Sequence, residues 1–121
     1  MVTNPLDVTR KLCLALPEVV ERPSHGSPAW FVRGKKTFVM YLDHHHGVDW
    51  IALWCAAPPG VQAQLVAEEP DRFFLPPYVG HRGWIGVRLD VDLDTDELAG
   101  IVEDAYRQVA PKVLVARLDA D

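Results

Sequence analysis

The chain has 121 residues, 49% of them hydrophobic and 24% charged, which is typical of one globular domain with a single core. Its formal net charge of −5 weighs against a nucleic-acid binder, unless the few basic residues of the middle segment converge in space. No apolar run approaches the roughly 20 residues of a membrane span, and residues 1–17 lack the apolar core of a signal peptide. We therefore expect a single domain over residues 1–121, located in the cytoplasm and with no membrane partner.

The chain is predicted to begin with a helix followed by a loop. Asn4 is a favourable N-cap residue and Pro5 suits the first helical position, so the helix begins there and ends before Pro17. Residues 21–30, ERPSHGSPAW, contain two prolines and a glycine, which predict a loop.

Three strands and a second helix are predicted next. Residues 30–43, WFVRGKKTFVMYLD, predict two strands joined by a short hairpin at Gly34 and Lys35. Residues 50–56, WIALWCA, are apolar throughout, which favours a central strand of the sheet. Residues 58–70, PPGVQAQLVAEEP, predict a helix bounded by prolines.

A hairpin is predicted in the second half of the chain. Residues 84–92, WIGVRLDVD, alternate between apolar and mostly polar side chains, which indicates a strand with one buried face. Residues 73–79, FFLPPYV, are expected to pair with it along an edge, because prolines are tolerated there. Residues 80–83, GHRG, are then the hairpin tip.

The chain is predicted to close with a helix. Asp94 and Glu97 have capping-box spacing, and Pro111 ends the segment. The resulting order, α-β-β-β-α-β-β-α, predicts an α+β fold with a mostly antiparallel sheet packed by helices. Eight apolar residues are expected to share one core: Phe38, Leu53, Ile85, Val87, Leu89, Leu98, Ile101 and Val102.

The GHRG turn is the strongest candidate for a binding site. Glycines on both sides of His81 and Arg82 can expose backbone N–H groups, and the guanidinium of Arg82 can hold a phosphate or carboxylate. The simpler interpretation is that the glycines satisfy the turn while both side chains point into water. Tyr78, Trp84 and Arg88 are expected nearby, on the less buried face of the hairpin, where the large ring of Trp84 is either packed under a loop or exposed as a contact.

The remaining histidines and the cysteines give weaker signals. His25 lies in a second turn-like segment, where it either forms a polar cluster with His81 and Arg82 or has only a structural role in the turn. In an extended run His44 and His46 share a face while His45 points away, so these two residues could bind one metal ion only with a third protein ligand. A solvated loop is the favoured interpretation. Cys13 and Cys55 are predicted to be buried free thiols. No cofactor or metal motif is present.

Two segments together resemble a known family. Residues 24–35, SHGSPAWFVRGK, and residues 76–90, PPYVGHRGWIGVRLD, are similar to motifs of the MmcQ/YjbR family of small bacterial proteins, and the resemblance extends over residues 8–112. It implies a compact fold similar to frataxin-like and type III secretion chaperone-like domains. Family members are commonly called DNA-binding, because the fold resembles a double-wing DNA-binding domain; this is an inference from fold rather than from a site.

Two classes of function follow from these observations, and an enzyme is not expected because no catalytic constellation is visible. The first is the DNA-binding role that the resemblance implies, with contacts from Arg33, Lys35, Lys36, Arg82 and Arg88. The second is a module that binds a small molecule or peptide in an apolar recess, rimmed by His25, Tyr78, His81 and Trp84.

Overall fold

The computed structural model describes residues 4–43, 50–90 and 94–120. Within these ranges the chain forms four α-helices and six strands. The helices are α1 (Pro5–Leu14), α2 (Val61–Glu68), α3 (Thr95–Val109) and α4 (Lys112–Asp119), and the strands are β1 (Val19–Ser24), β2 (Ser27–Val32), β3 (Lys36–Asp43), β4 (Ile51–Cys55), β5 (Phe73–Phe74) and β6 (Ile85–Arg88).

The six strands form one antiparallel sheet in the order β1-β2-β3-β4-β6-β5. Helices α1 and α3 contact each other, and they pack on β1 and β3 respectively. We call the side of the sheet under these helices the helix face, and the opposite side the open face. The predicted α+β fold with an antiparallel sheet is confirmed.

The core lies between the sheet and α3. Six of the eight predicted core residues are buried, and Leu89 and Ile101 are partly buried against the same cluster. The register between β2 and β3 shifts between Trp30 and Phe31, which leaves Phe38 as an extra residue in β3. The Phe38 ring packs edge-on against Tyr106 of α3 with centroids 5.7 Å apart. The irregularity thus turns one additional aromatic ring towards the helix.

Helix caps form largely as the sequence predicts. The side chains of Asn4 and Asp94 accept hydrogen bonds from the N–H groups of Leu6 and Asp96. The predicted capping box is incomplete, because the carboxylate of Glu97 accepts from Arg72 rather than from the backbone of the cap residue.

Three predictions about elements are wrong. Residues 21–30 are not a loop, because β1 and β2 form a hairpin whose two-residue turn is His25 and Gly26. Residues 80–83 are not a hairpin tip, because β5 has only two residues and Gly80–Arg82 form a single 3₁₀ turn. The chain also continues after Pro111 into α4, which the sequence analysis did not predict.

Candidate functional site

The turn between β2 and β3 presents three exposed cations. Arg33 and Gly34 have φ angles of 55° and 69°, and together with Lys35 they form the three-residue connection between the register partners Val32 and Lys36. The N–H of Lys35 donates to the carbonyl of Val32 at 3.0 Å. Arg33, Lys35 and Lys36 are all exposed.

The 3₁₀ turn at Gly80–Arg82 is hydrogen-bonded near both of its ends to one side chain of α2. The side-chain amide of Gln62 donates to the carbonyl of Gly80 at 2.7 Å and to the carbonyl of Trp84 at 2.6 Å. Gly83 follows the turn with a φ of 83°, where a side chain would be strained. The turn is therefore an anchored segment, and its exposed residues have a defined position on the surface.

Arg82 lies over the ring of Trp84. The guanidinium carbon is 4.9 Å from the ring centroid, a cation–π geometry. Trp84 is only 3% exposed, so its ring is packed inside the domain and is not an exposed contact, whereas Arg82 is exposed. The tryptophan thus supports the arginine from below and leaves the charged group open to a ligand.

Arg82 and the β2–β3 turn line two adjoining clefts. The larger, of about 460 Å³, is formed by Val32, Arg33, Lys35, Lys36, Val109, Ala110, Pro111 and Lys112. The smaller, of about 420 Å³, is formed by Lys35, Lys36, Thr37, Arg82, Gln108 and Val109. We call the five cations that line these clefts the basic cluster: Arg33, Lys35, Lys36, Arg82 and Lys112.

Most of the basic cluster has no acidic partner among the described residues. In the part of the chain that the structure describes, no carboxylate forms an ion pair with Lys35, Lys36, Arg82 or Lys112, and Arg33 bonds Glu18. Most arginines elsewhere are bonded to carboxylates: Arg10, Arg72, Arg88, Arg107 and Arg117. The charge of the cluster is therefore available to an external anion.

Arg88 lies away from the cluster. Strands β3 and β6 run in the same direction, because each is antiparallel to β4 between them. Lys36 begins β3 and Arg88 ends β6, so the two residues are at opposite ends of the sheet. Arg88 donates to Asp90, which lowers the pKa of that carboxyl, and it also covers the ring of Trp50. The structure thus gives Arg88 a local partner instead of bringing it to the other predicted cations.

His25 and Tyr78 line a separate recess on the open face. This recess has a volume of about 410 Å³ and is formed by Ser24, His25, Ser27, Met40, Leu42, Trp54, Tyr78 and Val79. His81 and Trp84, which were expected on its rim, do not line it, because Trp84 is buried under Arg82 and His81 is exposed on the 3₁₀ turn. His25 and Arg82 therefore line different cavities.

The two cysteines are buried free thiols, as predicted. Burial raises the pKa of Cys13, and it raises the pKa of Cys55 to about 12. Thiols in this state are poor nucleophiles at neutral pH. Among the residues that the structure describes, no group of histidine, cysteine and acidic side chains is arranged to hold a metal ion. His44–His46 lie outside those residues.

Several residues of both regions were missed by the sequence analysis. Lys112 begins α4, which the sequence analysis did not predict. The only local sign of this helix is Pro111, because prolines are common at helix starts. Gln62, which holds the 3₁₀ turn, has no local signal, because its partners lie 18 and 22 residues further along the chain. Met40 and Trp54 were assigned to strands, but their position in the lining of the recess depends on how the later segments fold back.

A family model described as YjbR matches residues 14–108. The chain belongs to the YjbR family. The matched segment begins within α1 and ends near the end of α3, so it includes the whole sheet and most of the residues of the basic cluster.

One solved structure is similar to the fold over nearly its whole length. The crystal structure of Deinococcus radiodurans protein DR2400, which contains a domain described as DUF419, matches with a TM-score of 0.74 and 16% sequence identity, covering 94% of this chain and 87% of that chain. At this identity the likeness supports the fold alone. No curated protein gives a significant match. Across the described residues no helix has the length and apolar character needed to cross a membrane.

Proposed function

We propose that this YjbR-family protein binds duplex DNA through the basic cluster, mainly by contacts to the phosphate backbone. The observation that carries the proposal is the convergence of Lys35, Lys36, Arg82 and Lys112 on two adjoining clefts, with no acidic partner among the described residues. Sequence-independent DNA contacts consist largely of such cations facing phosphate oxygens.

The acidic net charge is compatible with this proposal because the charges are segregated. Residues 89–121 contain nine acidic and three basic residues, whereas residues 31–88 contain six basic and five acidic residues. A local basic surface can therefore attract a polyanion while the rest of the molecule is acidic. The expected binding is weak because few cations contribute to it, and it is salt-dependent because each phosphate contact releases counterions.

We also propose that the protein acts by binding and not as an enzyme, in the cytoplasm. The buried thiols, with their raised pKa values, support a binding role, because they are unsuited to nucleophilic catalysis. Free buried cysteines are also typical of a reducing compartment.

The test is a titration of labelled duplex DNA at several salt concentrations, followed by fluorescence anisotropy. Lys35→Ala and Lys112→Ala should each weaken binding and reduce the slope of log K against log salt by about 0.9, the value for one lost phosphate contact. Lys11→Ala is the matched control, because Lys11 is exposed but lines neither cleft. Its affinity and slope should equal those of the wild type.

Arg82 requires a second pair of variants because it also covers Trp84. Arg82→Lys keeps the charge and should retain most of the affinity if the contact is to phosphate, whereas Arg82→Gln should lose about one contact from the slope. DNA binding that is equally strong in the Lys35, Arg82 and Lys112 variants would remove the basic cluster from the interface. Absence of binding at low salt would exclude DNA as the partner.

A further inference from the structure

The recess on the open face is independent of the basic cluster. None of its eight lining residues lines either basic cleft. Its volume of about 410 Å³ lies in the range of about 300–1,000 Å³ that small-molecule pockets occupy. The recess is therefore large enough for a small compound, and a role in phosphate binding does not explain it.

The floor of the recess is an apolar part of the sheet. Met40 and Trp54 are register partners on β3 and β4, and Leu42 lies two residues beyond Met40 on the same side of its strand. Leu42 and Trp54 are only 5% and 7% exposed, whereas Met40 is partly buried. A ligand on this floor would meet a thioether, an indole ring and an aliphatic side chain, and no charged group.

Each wall of the recess contains a residue in a strained backbone conformation. His25 has a φ of 51° and is followed by Gly26 in the β1–β2 turn, at a position where asparagine or glycine is preferred. Tyr78 has a φ of 66°, and the N–H of Val79 donates to the carbonyl of Pro77 at 2.7 Å. These are the features of a γ-turn with positive φ, the rarer and more strained form. Each such residue costs about 1–3 kcal/mol.

Two of the four non-glycine residues with positive φ in the described ranges are thus on opposite walls of one recess. Strain of this kind persists where the surrounding structure fixes it, and it is concentrated at binding sites. Here the prolines at 76 and 77 precede Tyr78, and the N–H of Gly80 donates to the carbonyl of Pro76 at 3.0 Å. The protein itself therefore fixes the backbone of both walls, and the recess is preformed.

The lining also defines the chemistry of a ligand. Hydrogen-bonding groups on the β1–β2 side are the hydroxyls of Ser24 and Ser27 and the imidazole of His25. The described residues of the lining include no lysine, arginine, aspartate or glutamate, so an ionised ligand would lose hydration without gaining a counter-charge from them. Trp54, Tyr78 and Met40 favour an aromatic ring, through ring–ring and sulfur–ring contacts.

We propose that this recess binds a small, uncharged aromatic compound that carries a hydroxyl or similar hydrogen-bonding group. The ring lies on the floor formed by Met40 and Trp54, and the polar group faces the serine hydroxyls of the β1–β2 hairpin. This site goes beyond the proposed DNA contact and uses none of its residues.

The test is NMR titration with three probes of matched ring size: phenol, cyclohexanol and benzoate. Phenol should give saturable shifts at the methyl group of Met40 and at the backbone amides of Ser27 and Val79, and it should bind more tightly than either other probe. Ser27→Phe places a ring in the recess and should weaken phenol binding at least tenfold. Gln64→Phe, on the exposed surface of α2, is the matched control and should bind phenol as the wild type does.

Each other outcome counts against the site. Shifts that do not saturate, or that appear at the exposed Leu75 and Val113 instead of Met40, would indicate general hydrophobic adhesion and overturn the proposal. Tighter binding of cyclohexanol or benzoate would overturn the assigned ligand class. If circular dichroism shows that Ser27→Phe is unfolded, Ser24→Phe on the opposite strand of the hairpin replaces it, and undiminished phenol binding by a folded variant would exclude the recess.

Discussion

Gly86 and Phe74 are in close contact on the open face, where the glycine leaves room for the aromatic ring. These residues are register partners on β6 and β5, and a Cβ added to Gly86 would lie 2.4 Å from the Phe74 ring. The ring also packs against Trp50, with centroids 5.5 Å apart. Glycine at position 86 therefore allows an aromatic side chain to cover the strand directly.

We predict that Gly86→Ala destabilises the protein by about 1–3 kcal/mol, the usual cost of overpacking. Gly100→Ala is the matched control, because nothing lies within 4 Å of the added Cβ, and alanine should stabilise this helical position by about 0.5–1 kcal/mol. Urea unfolding measures both changes. If Phe74→Ala is introduced first, Gly86→Ala should lose most of its effect, and an undiminished effect would show that the Phe74 ring is not the cause.

A second residue-scale prediction concerns Glu21 in acid. Its carboxylate accepts two hydrogen bonds from Arg10 and one from the indole N–H of Trp30, and the bonds from Arg10 are the main cause of its lowered pKa. Because the pKa is lower in the folded state, the charged carboxylate stabilises the fold above its ordinary pKa of 4.5. This stability is lost as the pH falls through the folded-state value.

We therefore expect Glu21→Gln to reduce stability at pH 7 and to bring wild type and variant closer together as the pH falls below the ordinary value. Urea unfolding across this range provides the measurement. Glu68→Gln, at an exposed position of α2, should change stability little at any pH. A Glu21→Gln deficit that stays constant into strong acid would mean that the loss is steric and not ionic.

At the scale of elements, sequence patterns predicted the parts that bury a regular apolar face. Helix α3 and strands β3, β4 and β6 have such faces, and they form the core as expected. Strand β1 has no regular apolar face, and Pro23 with the turn residues after it resembles a loop. The proline is tolerated because β1 is an edge strand, so one side of its backbone needs no partner. The basic cluster depends on residues 32–36 and 109–112 lining one cleft, and local sequence patterns do not encode this proximity.

Helix α4 illustrates the same limit, since eight residues without a side-chain cap give little signal. The helix is nevertheless attached to the domain, because Leu114 is only 1% exposed and Asp119 bonds Arg107. Leu114→Ala should therefore destabilise the protein by about 2–5 kcal/mol. Val113→Ala, at a neighbour that is 63% exposed, should stay within about 0.5 kcal/mol of the wild type. Equal urea midpoints for the two variants would show that α4 does not pack in solution.

At the scale of the whole molecule, the acidic and basic regions lie far enough apart for direct contacts to be distinguished from long-range electrostatic effects. Helix α3 has 15 residues, so its N-terminal turn lies roughly 20 Å from its C-terminal end at about 1.5 Å per residue. The C-terminal residue Val109 lines both basic clefts, whereas Asp96 lies exposed in the first turn. If the basic cluster binds DNA as proposed, the acidic N-terminal turn would act on that DNA only through its electric field.

We expect Asp96→Lys and Lys35→Glu, which both change the charge by two units, to differ in their salt dependence. Asp96→Lys should raise DNA affinity by at most about threefold near 10 mM salt, where the Debye length is about 30 Å, and should have no effect near 150 mM, where it is about 8 Å. Lys35→Glu should weaken binding at both concentrations and reduce the salt slope, because it removes a direct phosphate contact. Anisotropy titrations at the two salts make the comparison, with circular dichroism to confirm folding. An Asp96→Lys effect that persists at 150 mM would place DNA against the N-terminal turn of α3 and away from the basic cluster.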